Sequence, residues 1–122
     1  MCIEEFRENT DAFSSFFTSK GIKKVAVYGY GKIGKSFIRL TKMIGIELVY
    51  LIDRQEQNDS EYAVYSPEDD FLLRADAIII TVPDGDEKIK SCLKSKVDCP
   101  IYGIRDIEQE VIATFNLLSG ER

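Results

Sequence analysis

Val25-Ala26-Val27-Tyr28-Gly29-Tyr30-Gly31-Lys32-Ile33-Gly34 is a short apolar run that passes directly into a G-x-G-x-x-G turn. Behind it, Ile33, Phe37, Leu40 and Ile44 recur along one face of a helix, and Gly45 follows as its stop signal. A second apolar run, Leu48-Val49-Tyr50-Leu51-Ile52, ends in Asp53. Strand, glycine turn, helix, strand and terminal acid together describe a βαβ unit suited to a dinucleotide.

Each glycine has its own expected task. Gly29 permits the tight turn out of the strand, where a Cβ would clash. Gly31 lets the backbone approach a pyrophosphate, and Gly34 lets the helix pack closely on the strand. The helix that begins at Lys32 and Ile33 presents unpaired N–H groups and a positive dipole end to that pyrophosphate. The Lys32 side chain either touches a phosphate or is solvated. Tyr30 is bulky for its place between two glycines, and either covers the ligand or crowds the pyrophosphate. Asp53 follows Gly29 at close to the ~20-residue spacing of a ribose-binding acid. Its charge would repel a 2′-phosphate, which favours NAD over NADP. Arg54 works against that preference, since it can stack on adenine or pair with a phosphate. The alternative is that the glycines close strand against helix and the turn binds nothing.

The rest of the chain alternates in the same way. Residues 3–19 carry Ile3, Phe6, Phe13, Phe16 and Phe17 at near-helical spacing, as one amphipathic helix or two short ones, with Gly21 after them. Their apolar face either covers the sheet of the same chain or forms a dimer contact. Strands are expected at 24–29, 46–52, 63–65, 77–82 and 100–104, with a loop from Arg54 to Glu61. Ser66-Pro67-Glu68-Asp69 reads as a helix start continued by Phe71, Leu72 and Leu73. Pro83 ends the fourth strand, and Asp84 with Glu87 opens a helix through Leu93. Asp106 with Gln109 starts the last helix, to about Leu118, and Gly120 stops it. This alternation predicts a three-layer, doubly wound parallel sheet of about five strands in order 3-2-1-4-5, with an extra N-terminal helical segment over 1–20. Residues 1–122 read as a single domain.

In such a sheet the ligand lies at the carboxyl ends of the strands, above the switch point. That edge takes in Gly29 to Gly34, Asp53, Arg54, Thr81 to Asp84, and Gly103 to Asp106. The cofactor set is Gly29, Tyr30, Gly31, Lys32, Ile33, Gly34, Asp53, Arg54, Val82 and Pro83. Val82-Pro83 falls where apolar atoms flank a ribose, or else simply terminates the strand. Asp84 and Asp106 are better explained as helix caps than as an acid–base pair.

The composition narrows the classes. A net charge of −5 leaves no basic face for nucleic acid. There is no apolar run of membrane-spanning length and no signal peptide, so a cytoplasmic protein is expected. Cys2, Cys92 and Cys99 are odd in number and form no C-x-x-C pair, which suits free thiols. The chain contains no histidine, which excludes Ser-His-Asp and Cys-His chemistry and disfavours a zinc site. No residue is nominated as catalytic.

From Lys24 to about Glu110 the chain resembles the NAD(P)-binding Rossmann superfamily. Val25 to Gly34, Asp53, and Ala75-Asp76-Ala77-Ile78-Ile79-Ile80-Thr81-Val82-Pro83 carry the resemblance. More narrowly, Val27-Tyr28-Gly29 and Tyr50-Leu51-Ile52-Asp53 look like small nucleotide-binding domains found with bacterial polysaccharide and sugar-modifying enzymes. The resemblance implies a nucleotide or dinucleotide ligand, NAD first among them. Dehydrogenases of the superfamily carry a second, catalytic domain that these residues do not contain. The expected role is therefore an NAD(H)-binding module without self-sufficient catalysis, either a ligand sensor or a cofactor-binding subunit. Two other readings are an oxidoreductase subunit completed by a partner, and a structural oligomerisation domain, such as a homodimer, with a vestigial site.

Overall fold

Val25–Tyr28 and Ala77–Ile80 are apolar at every position, and such strands are stable only where helices cover both sheet faces. The computed structural model, which describes residues 10–54, 62–68, 74–82 and 86–119, has that arrangement. The elements run α1 (Thr10–Ser19), β1 (Lys24–Tyr28), α2 (Lys32–Ile44), β2 (Glu47–Ile52), β3 (Val64–Tyr65), β4 (Ala77–Ile80), α3 (Asp86–Lys94), β5 (Ile101–Gly103) and α4 (Ile104–Ser119). All pairings are parallel and the strand order is β3-β2-β1-β4-β5. This is the doubly wound α/β sheet that the sequence predicts.

Alternate strand residues feed two cores. On one face Val25, Val27, Leu51 and Ile79 meet Phe13 and Phe17 of α1, Phe37 and Leu40 of α2, and Ile107 and Val111 of α4. On the other, Ala26, Tyr28, Tyr50, Ile52, Ile78 and Ile80 meet Leu93 of α3. The apolar face of α1 is buried inside its own chain. Phe16 stands edge-on to Tyr102 at 5.5 Å and Phe17 lies 6.2 Å from Phe37, ring centre to ring centre. Residues 3–9 of the expected N-terminal helix lie outside the described residues. Gly21 ends α1 at φ 70, and Ile22 N–H donates to Phe17 O at 2.9 Å. Gly45 ends α2 at φ 77 with its N–H on Thr41 O, as its position in the sequence predicts.

Register carries the site. Val25 pairs with Leu48 but Ala26 pairs with Tyr50, so Val49 is an extra residue in β2. Beyond that shift Tyr28 is level with both Ile52 and Ile80. Gly29, Asp53 and Thr81 therefore leave the sheet side by side.

Every strand is one or two residues shorter than the sequence reading has it, and two of the boundaries bear on the site. β4 stops at Ile80, with one last ladder bond beyond it from the Thr81 N–H to Tyr28 O at 2.9 Å. β5 stops at Gly103 and α4 begins at once at Ile104, so Asp106 is the third residue of that helix and not its cap. Its carboxylate reaches back to accept the Gly103 N–H at 3.2 Å, the N3 half of a capping box. Glu68 N–H donates to Ser66 Oγ at 3.2 Å in a turn. The helix expected beyond it falls on residues 69–73, outside the described ones. Among the described residues, no helix is long and apolar enough to cross a membrane.

At the opposite end of the sheet, Asp76 Oδ2 accepts the N–H groups of Lys23 and Lys24 at 2.9 and 3.0 Å. These two bonds, the Lys23 one foremost, hold its carboxyl below the usual value of 3.8. A carboxylate with a depressed folded pKa stabilises the fold above its unfolded value and loses that contribution as pH falls through the folded one. The stability gap between the wild type and Asp76→Asn is therefore expected to be full at neutral pH. It should close progressively below pH 3.8, as read by urea titrations across the acid range.

Candidate functional site

The three glycines of the turn divide into two that face inward and one that faces out. Gly29 sits at φ +105, and its N–H donates to Ile52 O at 2.8 Å. A Cβ there would come within 2.8 Å of Thr81 Oγ1 and 3.1 Å of Val82 Cγ2. A Cβ on Gly34 would overlap the Gly29 carbonyl oxygen, so α2 rests directly on the end of β1. A Cβ on Gly31 would meet no heavy atom within 4 Å. Gly31 is the N-cap of α2, makes no side-chain cap bond, and is followed by a first turn without an acid. By helix geometry the first-turn N–H groups, those of Lys32, Ile33 and Gly34 among them, lack intrahelical partners. Nothing within the helix neutralises its positive end.

Side chains from both neighbouring strands grip this turn. Asp53 Oδ2 accepts the Tyr30 N–H at 2.9 Å, and the Asp53 N–H donates to Tyr65 O at 3.0 Å. From the other side Thr81 Oγ1 donates to Tyr28 O at 2.9 Å and lies 3.1 Å from Gly29 O. The Tyr30 ring packs against the core on the α1–α2–α4 face, with Lys35 Nζ 5.0 Å from its centre. It does not line the cleft described next.

That cleft, about 830 Å³, opens beyond the carboxyl ends of β1 and β2 and beneath α3. Gly29, Asp53, Arg54 and Val82 of the expected set line it; Tyr30, Gly31, Lys32, Ile33 and Gly34, which carry the chain from Gly29 into the start of α2, do not. Pro83 and Asp84 lie outside the described residues. The expected edge residues Gly103 to Asp106 do not line it, since Asp106 is turned to Lys90 Nζ at 2.6 Å. That contact, more than the Gly103 N–H, lowers the Asp106 pKa.

Tyr28 and Leu93 line it from the core, and Ser66, Pro67 and Glu68 after β3 with Lys88, Ile89 and Cys92 on α3 complete the lining, where the sequence reading has no site residue. The i, i+4 spacing of Lys88 and Cys92 beside Ile89 and Leu93 was the available signal. The sequence places Thr81 at this edge without marking a role for it. A lone hydroxyl at the end of an isoleucine run was its signal. Among the described residues no group of His, Cys, Asp and Glu is placed to hold a metal ion.

A glycine turn on a helix N-terminus, flanked by an acid at the end of the second strand, defines a Rossmann-type dinucleotide-binding domain. The family model of the D-isomer specific 2-hydroxyacid dehydrogenase, NAD binding domain, matches residues 7–96, and the chain belongs to that family. NAD is thus the cofactor of this domain. Among solved structures the chain is similar to a chorismate mutase/shikimate 5-dehydrogenase fusion protein from Clostridium acetobutylicum. The two are 13% identical with a TM-score of 0.54, over 93% of this chain and 55% of that one. A mutant of GsuK matches at 17% identity and a TM-score of 0.42, over 94% of this chain and 38% of that one. The first likeness is one of fold, and the chain spans about half the length of that structure. No curated protein matches the sequence.

Two outcomes follow from the site's packing. Gly34→Ala is expected to lose about 1–3 kcal/mol in denaturant unfolding, because the new methyl meets backbone that cannot yield. Gly31→Ala should unfold like the wild type. In alkylation followed by mass spectrometry, exposed Cys92 should react faster than half-buried Cys99, whose thiol burial pushes up in pKa, and NAD should slow Cys92 alone.

Proposed function

We propose that this domain holds NAD across the carboxyl ends of β1, β2 and β4 and lends it to chemistry performed by groups outside these 122 residues. Gly31 carries the reading. It is the one glycine of the turn with open space above it, on an uncapped helix end without acid, and Asp53 holds the N–H of Tyr30, the residue before it. In this reading the N–H groups of Lys32, Ile33 and Gly34 hold the pyrophosphate. Asp53 takes the adenosine ribose, and the cleft between Arg54 and Val82 takes the base. NAD supplies a hydride acceptor at its nicotinamide ring.

Oxidation of a 2-hydroxy acid also needs a group that removes the hydroxyl proton. The chain has no histidine, and of the two carboxylates that line the described cleft, Asp53 and Glu68, the first is engaged with the Tyr30 N–H. A further domain or a partner chain is the proposed source of that group. The module reading is favoured over a structural role because a packing-only turn has no need of a glycine at 31.

Calorimetric titration with NAD and NADP tests the assignment. Gly31→Asp should keep the wild-type melting temperature and lose more than about tenfold in NAD affinity, some 1.4 kcal/mol, as a carboxylate enters the pyrophosphate's place. Asp53→Asn retains an acceptor for the Tyr30 N–H but removes the charge, so the NAD-to-NADP preference should fall severalfold. Unchanged NAD affinity in Gly31→Asp would remove the pyrophosphate assignment.

A further inference from the structure

We propose that Thr81 is a positioning residue of the NAD site, and that the part it positions is the peptide group joining Gly29 to Tyr30; the proposal rests on the NAD reading above. That single peptide is held at both of its polar ends by side chains. Its carbonyl, Gly29 O, takes the 3.1 Å arm of a three-centre bond from the Thr81 hydroxyl, whose 2.9 Å arm goes to Tyr28 O. Its N–H, on Tyr30, is held by Asp53 Oδ2 at 2.9 Å. Thr81 follows β4 and Asp53 follows β2, the two neighbours of β1, so the peptide is gripped from opposite sides.

The grip matters because of where it falls. Glycine at φ +105 has no side chain to restrict the rotation of the peptide that follows it. The orientation of that peptide decides where Gly31 and the N-terminus of α2 point. Thr81 is 3% exposed and so acts on the ligand only through the turn. Its hydroxyl is not needed to close the sheet. Tyr28 O accepts both the Thr81 N–H and the Thr81 hydroxyl at 2.9 Å, so what the hydroxyl adds beyond the end of the sheet is its shared contact with Gly29 O at 3.1 Å. Three isoleucines precede it, and a buried hydroxyl in their company is costly unless it is bonded.

Thr81→Val keeps the shape and removes the hydroxyl, and Thr81→Ser keeps the hydroxyl and removes a methyl. Both are measured by calorimetric NAD titration, melting temperature, and the amide signal of Tyr30 in a ¹⁵N–¹H spectrum. Thr81→Val is expected to fold and to bind NAD about 5- to 10-fold more weakly, with the Tyr30 amide displaced. Thr81→Ser should bind within about twofold of the wild type. Adding Asp53→Asn to Thr81→Val should cost less than the product of the two single losses, because both act on one peptide.

Wild-type affinity in Thr81→Val with an unmoved Tyr30 amide would overturn the proposal. So would equal losses in the valine and serine variants, which would assign the effect to packing. Unfolding of Thr81→Val beside a normal Thr81→Ser would make the hydroxyl a folding group and overturn it as well. If the wild type itself takes up no NAD, the functional reading fails on its own. The Tyr30 amide in the two variants then still decides whether Thr81 holds the peptide.

Discussion

The approach of Gly34 to the Gly29 carbonyl is the contact on which the rest of the molecule depends. A helix can start this close to the strand before it only if the facing residue has no Cβ. With α2 set down there, its apolar face, Phe37 and Leu40 foremost, falls onto β1 and β2. The chain then returns by a right-handed crossover to lay β2 beside β1. Asp53 arrives level with the turn because of that return and the extra residue at Val49. The fold and the site thus share one steric condition.

The two faces of the sheet are covered unequally. Three helices, α1, α2 and α4, fill the face that carries Val25, Val27 and Ile79. Among the described elements α3 alone covers the other, through Leu93. The cleft lies on that second side, where Ile89 and Cys92 overhang the ends of β1 and β2. α1 contributes nothing to the cleft. Its phenylalanines add apolar burial worth about 1.5–3 kcal/mol for each fully buried ring, and they leave the opposite edge open for a ligand.

The sheet order, the glycine turn and the acid at Asp53 were legible because each rests on local rules. These are an unbroken apolar run, a residue type that backbone geometry demands, and a spacing fixed by one crossover. What escaped was tertiary. Whether Asp106 caps a helix or sits inside its first turn depends on where β5 ends, and no periodicity marks that over three residues. Lys88 and Cys92 reach the cleft through the tilt of α3, which composition does not encode. The role of Tyr30 could not be chosen from sequence either, since its ring direction depends on the face that Lys35 and the α2 core present to it.

The doubly held peptide after Gly29 has a consequence for motion. Glycine-rich turns are commonly the first parts of a domain to open, and a ligand must then meet the entropic cost of ordering them. Here the turn is fastened to residues that follow β2 and β4, so its loosening requires these side-chain bonds to break as well. Bonds to residues beyond two different strands tie the order of the turn to that of the sheet ends, and a turn ordered in this way asks less of any ligand in ordering entropy.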